Sequence, residues 1–374
     1  MSDSRPVSHE KENPDSVGAE IGVQGIEALP KRVNRYGKAK NNALDIAKYI
    51  EGQGLAQRAQ RLLSCGDYLV FRHYFTQDVV RLHSARLCMQ HLLCPLCAIR
   101  RGAKALKSYL DRWEVIQAHN GALRPFLVTL TVKDGPDLAE RFDHLHKAQR
   151  ELWKRKQRGR GSALDGVAGA VWSYEVKRGS GSGVWHPHLH MIALAETQPD
   201  QQEIADEWRN ITGDSFVVDV RPISQEDPVS GFVEVFKYAV KFSEQDPADT
   251  LEAFMTLKGK RLLESAGLFR GVEVPHGSMD DTEDVSHLPY YDLLYRFSKA
   301  GGYTLEHRSS VQQPLDDFKP VRRPAYELPD WVKDERKFFE RELARRISEG
   351  HRPGSKGMIW RSKKGVSTKR GQGT

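Results

Sequence analysis

The sequence predicts an α+β fold, a mainly antiparallel sheet with helices packed against it. Two observations carry this prediction. Runs that alternate with period two, "RPFLVTLTV", "GAVWSYEVKR", "HPHLHMIAL" and "SFVVDVRPI", are interleaved with "DLAERFDHLHKAQRELWKRK", "QQEIADEWRNITG" and "GFVEVFKYAVKFSE", whose apolar residues recur at helical spacing. Two of the strands are separated only by "GSGSG", the composition of a hairpin connection.

The chain of 374 residues has room for about two domains plus tails. Residues 1 to about 40 are polar and without a sustained period, so they read as disordered, and residues 1–55 are taken as a variable N-terminal extension. Residues 56–119 hold all four cysteines and a connecting helix, and residues 120–275 hold the strands and helices quoted above. In the extension 276–350, "LPDWVKDERKFFERELARRISEG" predicts a helix, with Asp330 as N-cap and Gly350 as stop; Gly271 to Pro329 has no legible role. Residues 351–374 read as a basic disordered tail.

The net charge is +7, but residues 341–374 alone hold ten Lys/Arg against two Asp/Glu. The excess therefore sits in the tail, where it would add salt-sensitive, sequence-independent affinity for nucleic acid. Contacts made by the folded body must come from local clusters, of which "KAQRELWKRKQRGR" (Lys147 to Arg160) is the densest; its alternative reading is a solvated helix face. The first residues lack the order of a secretory signal and no apolar run approaches the ~20 residues of a membrane span, which points to a cytoplasmic chain. There is no G-x4-G-K-[ST] loop, so no ATP site is expected.

Cys65, Cys88, Cys94 and Cys97 fall within one short segment, the last pair as the hook "CPLC". If "DYLVFRHYFTQDVVRLHSARL" folds back as a hairpin, four thiolates can close a structural zinc site with no open position. His91 is a competing ligand, and buried cysteines without metal are the alternative; disulfides are not expected in a cytosolic chain.

In "VWHPHLHMIAL", His186, His188 and His190 share one face of a strand. Burying imidazoles without partners costs on the order of 1–3 kcal/mol each, so a metal or a hydrogen-bonded cluster is the natural reason for them. Pro187 marks a strand start or edge, which ranks His186 below the other two. On the preceding strand Ser173 and Glu175 share a face, and if Glu175 lies opposite His188 its carboxylate completes a two-imidazole, one-carboxylate set suited to Mn2+ or Mg2+ at a phosphate. A slip of one residue would remove it. In "GFVEVFKYAVKFSE", Phe232, Val235, Phe236 and Ala239 form an apolar stripe, with Glu234, Tyr238 and Lys241 on the opposite side. Alone, that pattern also fits an amphipathic surface helix.

Taken in order, "CPLCAIRR", "FLVTLTV", "YEVKR", "HPHLHMIAL" and "EVFKYAVKF" resemble the replication initiator (Rep) proteins of rolling-circle plasmids, within the HUH endonuclease superfamily. The resemblance covers about residues 60–275. It implies an HUH-type central antiparallel sheet flanked by helices, a catalytic Mn2+ or Mg2+ on His188, His190 and Glu175, and Tyr238 as the nucleophile of a single-tyrosine type. It further implies nicking of plasmid origin DNA, single-stranded or extruded, through a 5′-phosphotyrosine that frees a 3′ hydroxyl primer. Glu234 would then activate water to end the cycle, Lys241 would hold a phosphate oxygen, and a host helicase and DNA polymerase would be partners. Other readings are a conjugative relaxase or single-strand transposase of the same chemistry, a zinc-containing DNA-binding regulator without catalysis, and a further tyrosine at Tyr290 or Tyr291.

Overall fold

A computed structural model describes residues 17–21, 25–159, 161–179, 182–238, 241 and 245–313. Among these, helices α1 (Leu29–Gly52), α2 (Ala56–Leu63), α3 (Pro95–His119), α4 (Leu138–Arg158), α5 (Gln201–Thr212), α6 (Pro228–Phe236) and α7 (Pro247–Leu257) accompany two antiparallel sheets. The strands are β1 (Tyr68–Tyr74), β2 (Val79–Ala85), β3 (Arg124–Thr131), β4 (Gly169–Arg178), β5 (Trp185–Ala195), β6 (Val218–Pro222), β7 (Leu263–Gly267), β8 (Tyr291–Ser298) and β9 (Gly302–Arg308). The α+β prediction holds, with a second sheet that it did not include.

The five-stranded sheet has the order β6-β3-β5-β4-β7. β4 and β5 are buried along nearly their whole length, because helices cover both faces. On one face α4 and α5 pack through Phe142 against Tyr174 (ring centroids 5.4 Å apart), Trp153 against Trp172 (5.4 Å) and Trp208, whose indole N–H donates to the Thr131 carbonyl (2.7 Å). α6 packs on the other face, beside α3, through Phe236 against Tyr109 (5.1 Å). The two elements approach so closely that a Cβ on Gly102 would lie 2.7 Å from the Phe236 carbonyl oxygen. Capping follows the sequence: Asp200 accepts from Gln202 N and Glu203 N at the start of α5, and Gly213 at φ 75° ends it.

The four-stranded sheet, β2-β1-β8-β9, joins residues 68–85 to residues 291–308. The segment without a legible role is therefore partly a core element: β8 pairs β1 with Phe71 opposite Leu293 and His73 opposite Tyr291. Local pattern could not show it, because the partner strand lies more than 200 residues away. The helix expected near 330–350 and the tail 351–374 lie outside the described residues.

The N-terminal extension is corrected too. Instead of disorder up to about residue 40, α1 occupies Leu29–Gly52, with Tyr36, Ala43, Ile46 and Ile50 buried. Its period is obscured because two cations also point inward. Lys40 is 2 % exposed and donates to the carbonyls of Leu63 (2.5 Å) and Cys65 (2.7 Å). Arg32, equally buried, pairs with Glu20 (2.8 Å) and Asp280 (3.0 Å), a cluster that also holds Arg35, Arg100 and Tyr36.

Burial pushes the Glu20 carboxyl up, but Arg32, Arg100 and Arg35 outweigh it and hold the group below its usual 4.5. A folded-state value lowered in this way adds stability that is complete above about pH 4.5 and is lost as the pH falls through the folded value. Glu20→Gln is expected to cost about 3–5 kcal/mol, since it strands buried guanidinium groups, and to flatten that acid dependence. Urea midpoints at neutral and acid pH check it; equal midpoints for both proteins at neutral pH would refute it.

Candidate metal centres and nucleophile

The β4–β5 hairpin sets Glu175 directly opposite His188 and Ser173 opposite His190, the register that the histidine reading requires. His188 Nε2 lies 3.5 Å from Glu175 Oε1 and His190 Nε2 lies 3.7 Å from Glu175 Oε2, all three residues having a ligand atom within 4.8 Å of the others. The far ring nitrogens are held from behind: His190 Nδ1 by the Thr129 hydroxyl (3.1 Å) on β3, and His188 Nδ1 by the His186 carbonyl (3.4 Å). Such second contacts fix the ring orientation and leave Nε2 for a metal. His186 turns elsewhere, its Nδ1 lying 2.5 Å from Asp134 Oδ1.

Burial pushes the Glu175 carboxyl up, yet His188, His190 and Lys241 bring it down to about 2. Burial, with the charges of His188, Lys237 and Lys177, lowers His190 to about 3 despite Glu175. Near neutral pH His190 is therefore a neutral imidazole, ready to donate a lone pair, and Glu175 a carboxylate. Glu175 Oε2 and the neighbouring Ser173 hydroxyl are buried without any hydrogen-bond partner. An orphaned carboxylate oxygen between two imidazoles is costly unless a cation meets it, so this donor set fits a divalent ion.

The tyrosine segment is helical as expected at Tyr238 and Lys241, with one break at Lys237. α6 stops at Phe236, Lys237 is its C-cap, and Tyr238 follows. Glu234 Oε1 pairs with Lys237 Nζ at 2.6 Å. The charges of Lys237 and Lys241 act on His190 and Glu175, so these two amines, four apart, serve the histidine face. The reading from sequence named Lys241 and missed Lys237, although a spacing of four was the available signal. The Tyr238 phenol is 7 % exposed and lines an adjoining cavity of about 1080 Å³. Burial raises its pKa, which the nearby Arg101 partly counters. The three ligand residues do not line that cavity; the connection runs across the sheet, where Leu263 at the cavity wall pairs with Ser173, and Ser173 with His190.

The four cysteines converge as their spacing predicted. Cys65 follows α2, Cys88 follows β2, and Cys94 and Cys97 lie at the N-cap and first turn of α3. The Sγ atoms of Cys65 and Cys94 are 3.5 Å apart, those of Cys65 and Cys97 3.6 Å, and those of Cys88 and Cys97 3.5 Å. A tetrahedron with bonds of about 2.3 Å has edges near 3.8 Å, so four thiolates at these separations can share one ion. Hydrogen bonds from the other three thiols pull Cys88 toward its thiolate form. The Cys65 loop is gripped by Lys40 and by the Tyr303 hydroxyl, which donates to the Gly66 carbonyl (2.5 Å). His91, the competing ligand, is outside the group. Of the basic run from Lys147, three cations form helix-surface pairs, Lys147 with Asp143 (2.8 Å) and Arg155 and Arg158 with Glu151 (3.5 and 3.7 Å).

No helix among the described residues is long and apolar enough to cross a membrane. Three curated relatives each bear the name "Protein rep". One from Bacillus sp. is 27% identical over 186 residues, covering 48% of this chain and 58% of the relative, so the chain spans less than two thirds of it. One from Bacillus amyloliquefaciens is 25% identical over 294 residues, 76% of each chain. One from Staphylococcus aureus is 24% identical over 224 residues, 57% of this chain and 94% of the relative. No solved structure gives a significant match. A family described as "Replication protein" matches residues 79–290, a span that takes in the histidine strand, Tyr238 and three of the four cysteines. The resemblance read from those stretches is thereby borne out, and the chain belongs to the replication protein family.

Proposed function

We propose that this protein initiates rolling-circle replication of a plasmid by nicking one strand of the origin through Tyr238. The observation that carries the reading is the set Glu175, His188 and His190, with its orphaned carboxylate oxygen, on the same face of the sheet as the tyrosine segment. Mn2+ or Mg2+ held by these residues would polarise the scissile phosphate. Lys241 and Lys237, whose charges act on Glu175 and His190, would hold phosphate oxygens. The Tyr238 oxygen attacks phosphorus and gives up its proton; the bond from phosphorus to the 3′ oxygen breaks, and that oxygen takes up a proton. The 5′ phosphate stays on the protein as phosphotyrosine and the 3′ hydroxyl primes synthesis. A buried phenol is protonated at neutral pH, so the gain comes from alignment and phosphate polarisation rather than from a preformed phenolate.

Glu234 then takes a proton from a water that attacks the phosphotyrosine, releasing the strand and restoring the phenol. The four cysteines hold a structural zinc. The substrate is plasmid origin DNA, single-stranded or extruded, and a host helicase and polymerase supply unwinding and synthesis. The chemistry needs no ATP.

The test is incubation with labelled single-stranded origin DNA and Mn2+, with a covalent adduct on a denaturing gel as the expected result. Absence of an adduct on every candidate origin would favour a zinc-containing DNA-binding regulator; an adduct with transfer between unrelated single strands would favour a transposase or relaxase. Glu234→Ala is expected to nick at a near-normal rate but to release its adduct about 100-fold more slowly, as loss of a general base does. A pulse-chase of the adduct measures this, and normal release would remove Glu234 from the mechanism.

A further inference from the structure

The cavity beside Tyr238 is strongly basic. Arg58, Arg61, Arg101, Lys258, Lys260 and Arg261 line it, against the single carboxylate of Glu273. Several of these cations have structural duties: Arg58 donates to Gln90 Oε1 (2.6 Å), Arg61 to the Cys88 carbonyl, and Lys260 lies 4.6 Å from the centre of the Phe142 ring.

Arg101 is different. Its neighbour Arg100 is neutralised by Glu20 (2.9 Å) and Asp280 (2.5 Å), whereas half-buried Arg101 makes no ion pair among the described residues, and neither does Arg261. A half-buried guanidinium without a counter-charge is a site for an anion. Arg101 stands one turn beyond Cys97 on α3, so the cysteine centre fixes its position, and its charge reaches both Tyr238 and His91.

We propose that Arg101, with Arg261 in the same cavity lining, binds backbone phosphates of a single DNA strand and leads that strand from the cysteine centre to Tyr238. A cavity of about 1080 Å³ admits a few nucleotides and excludes a duplex. Its cationic lining, with Tyr109 and Phe254 already packed in the wall, favours contact with the backbone over readout of bases. The anion site stands on the unpaired guanidinium groups; its placement on the path to the nucleophile rests on the reading of Tyr238 given above.

The experiment measures fluorescence anisotropy of a labelled oligothymidylate bound to the full chain carrying Tyr238→Phe, without Mn2+ or Mg2+, over a range of salt. Binding is thus read without chemistry, and a failure of the nucleophile reading leaves the result interpretable. Arg101→Gln is expected to weaken binding about tenfold and to reduce the slope of log K against log salt by about 0.7, the share of one single-strand phosphate contact. Adding Arg261→Gln should about double the loss of slope, and Arg101→Lys should restore most of it. Arg261→Gln, at an exposed position, carries the test alone if the Arg101 variant loses its zinc or its melting transition. Unchanged affinity and slope in the folded variants would overturn the proposal. Equal binding of a duplex, or displacement by an acidic peptide as readily as by the oligonucleotide, would overturn the assignment to a single strand.

Discussion

Tyr238→Phe is expected to abolish the covalent protein–DNA adduct, a loss of at least about 1000-fold in nicking, while the fold and the binding of DNA persist. The substitution removes one oxygen and keeps the ring, so the wall of the cavity that Tyr238 lines stays filled. The informative contrast is with the other tyrosines that the sequence left open. Tyr291 lies in the four-stranded sheet with its hydroxyl 2.5 Å from His73 Nδ1, and Arg72 stacks 4.2 Å from the centre of the Tyr290 ring. Both have structural employment away from Glu175, His188 and His190, so neither should rescue Tyr238→Phe. Mass spectrometry of the DNA-linked peptide from the unmodified protein reads the outcome directly. A phosphotyrosine at Tyr290 or Tyr291, or an adduct that survives in Tyr238→Phe, would refute Tyr238 as the nucleophile.

Much of the candidate site was legible in the sequence because it is written locally. Strand alternation gives the face of His188 and His190, the short Gly/Ser loop brings the preceding strand alongside, and pairing then sets Glu175 opposite His188. The demotion of His186 follows from Pro187 and agrees with its turn toward Asp134. What failed was written over long range or in charge. α1 hides its period because Arg32 and Lys40 face inward, satisfied by Glu20, Asp280 and two carbonyls that local reading cannot foresee. β8 finds its partner β1 across most of the chain, and β9 then joins β8 as a local hairpin. The stop of α6 at Phe236 has no Gly or Pro to announce it, and the pairing of Glu234 with Lys237 was not foreseen. Arg101 could be singled out only by contrast, once Arg100 beside it was seen to be neutralised.

Removing a cysteine ligand should have the largest effect on stability. Cys97→Ala is expected to release about one zinc per chain and to melt the β1–β2 hairpin and the start of α3 together. The reason is connectivity: Cys65 precedes β1, Cys88 follows β2, and Cys94 and Cys97 open α3, so one ion would close three segments. Structural zinc contributes about 10–16 kcal/mol in small folded sites, as much as the whole stability of many domains, about 5–15 kcal/mol, so the loss should unfold the module rather than loosen it. All four side chains are at most 5 % exposed, which leaves water no route to replace the missing ligand in place. Because β8 and β9 complete the same sheet, protease cleavage near residues 291–308 should rise with cleavage near residues 68–85. Elemental analysis, a melting curve and limited proteolysis check the three parts. His188→Ala with His190→Ala is the control: it should keep its zinc and its melting transition while losing Mn2+, since the two donor sets share no residue. Loss of zinc in that control would mean that the two centres are one, and full zinc with an unchanged transition in Cys97→Ala would mean that the thiols pack together without an ion.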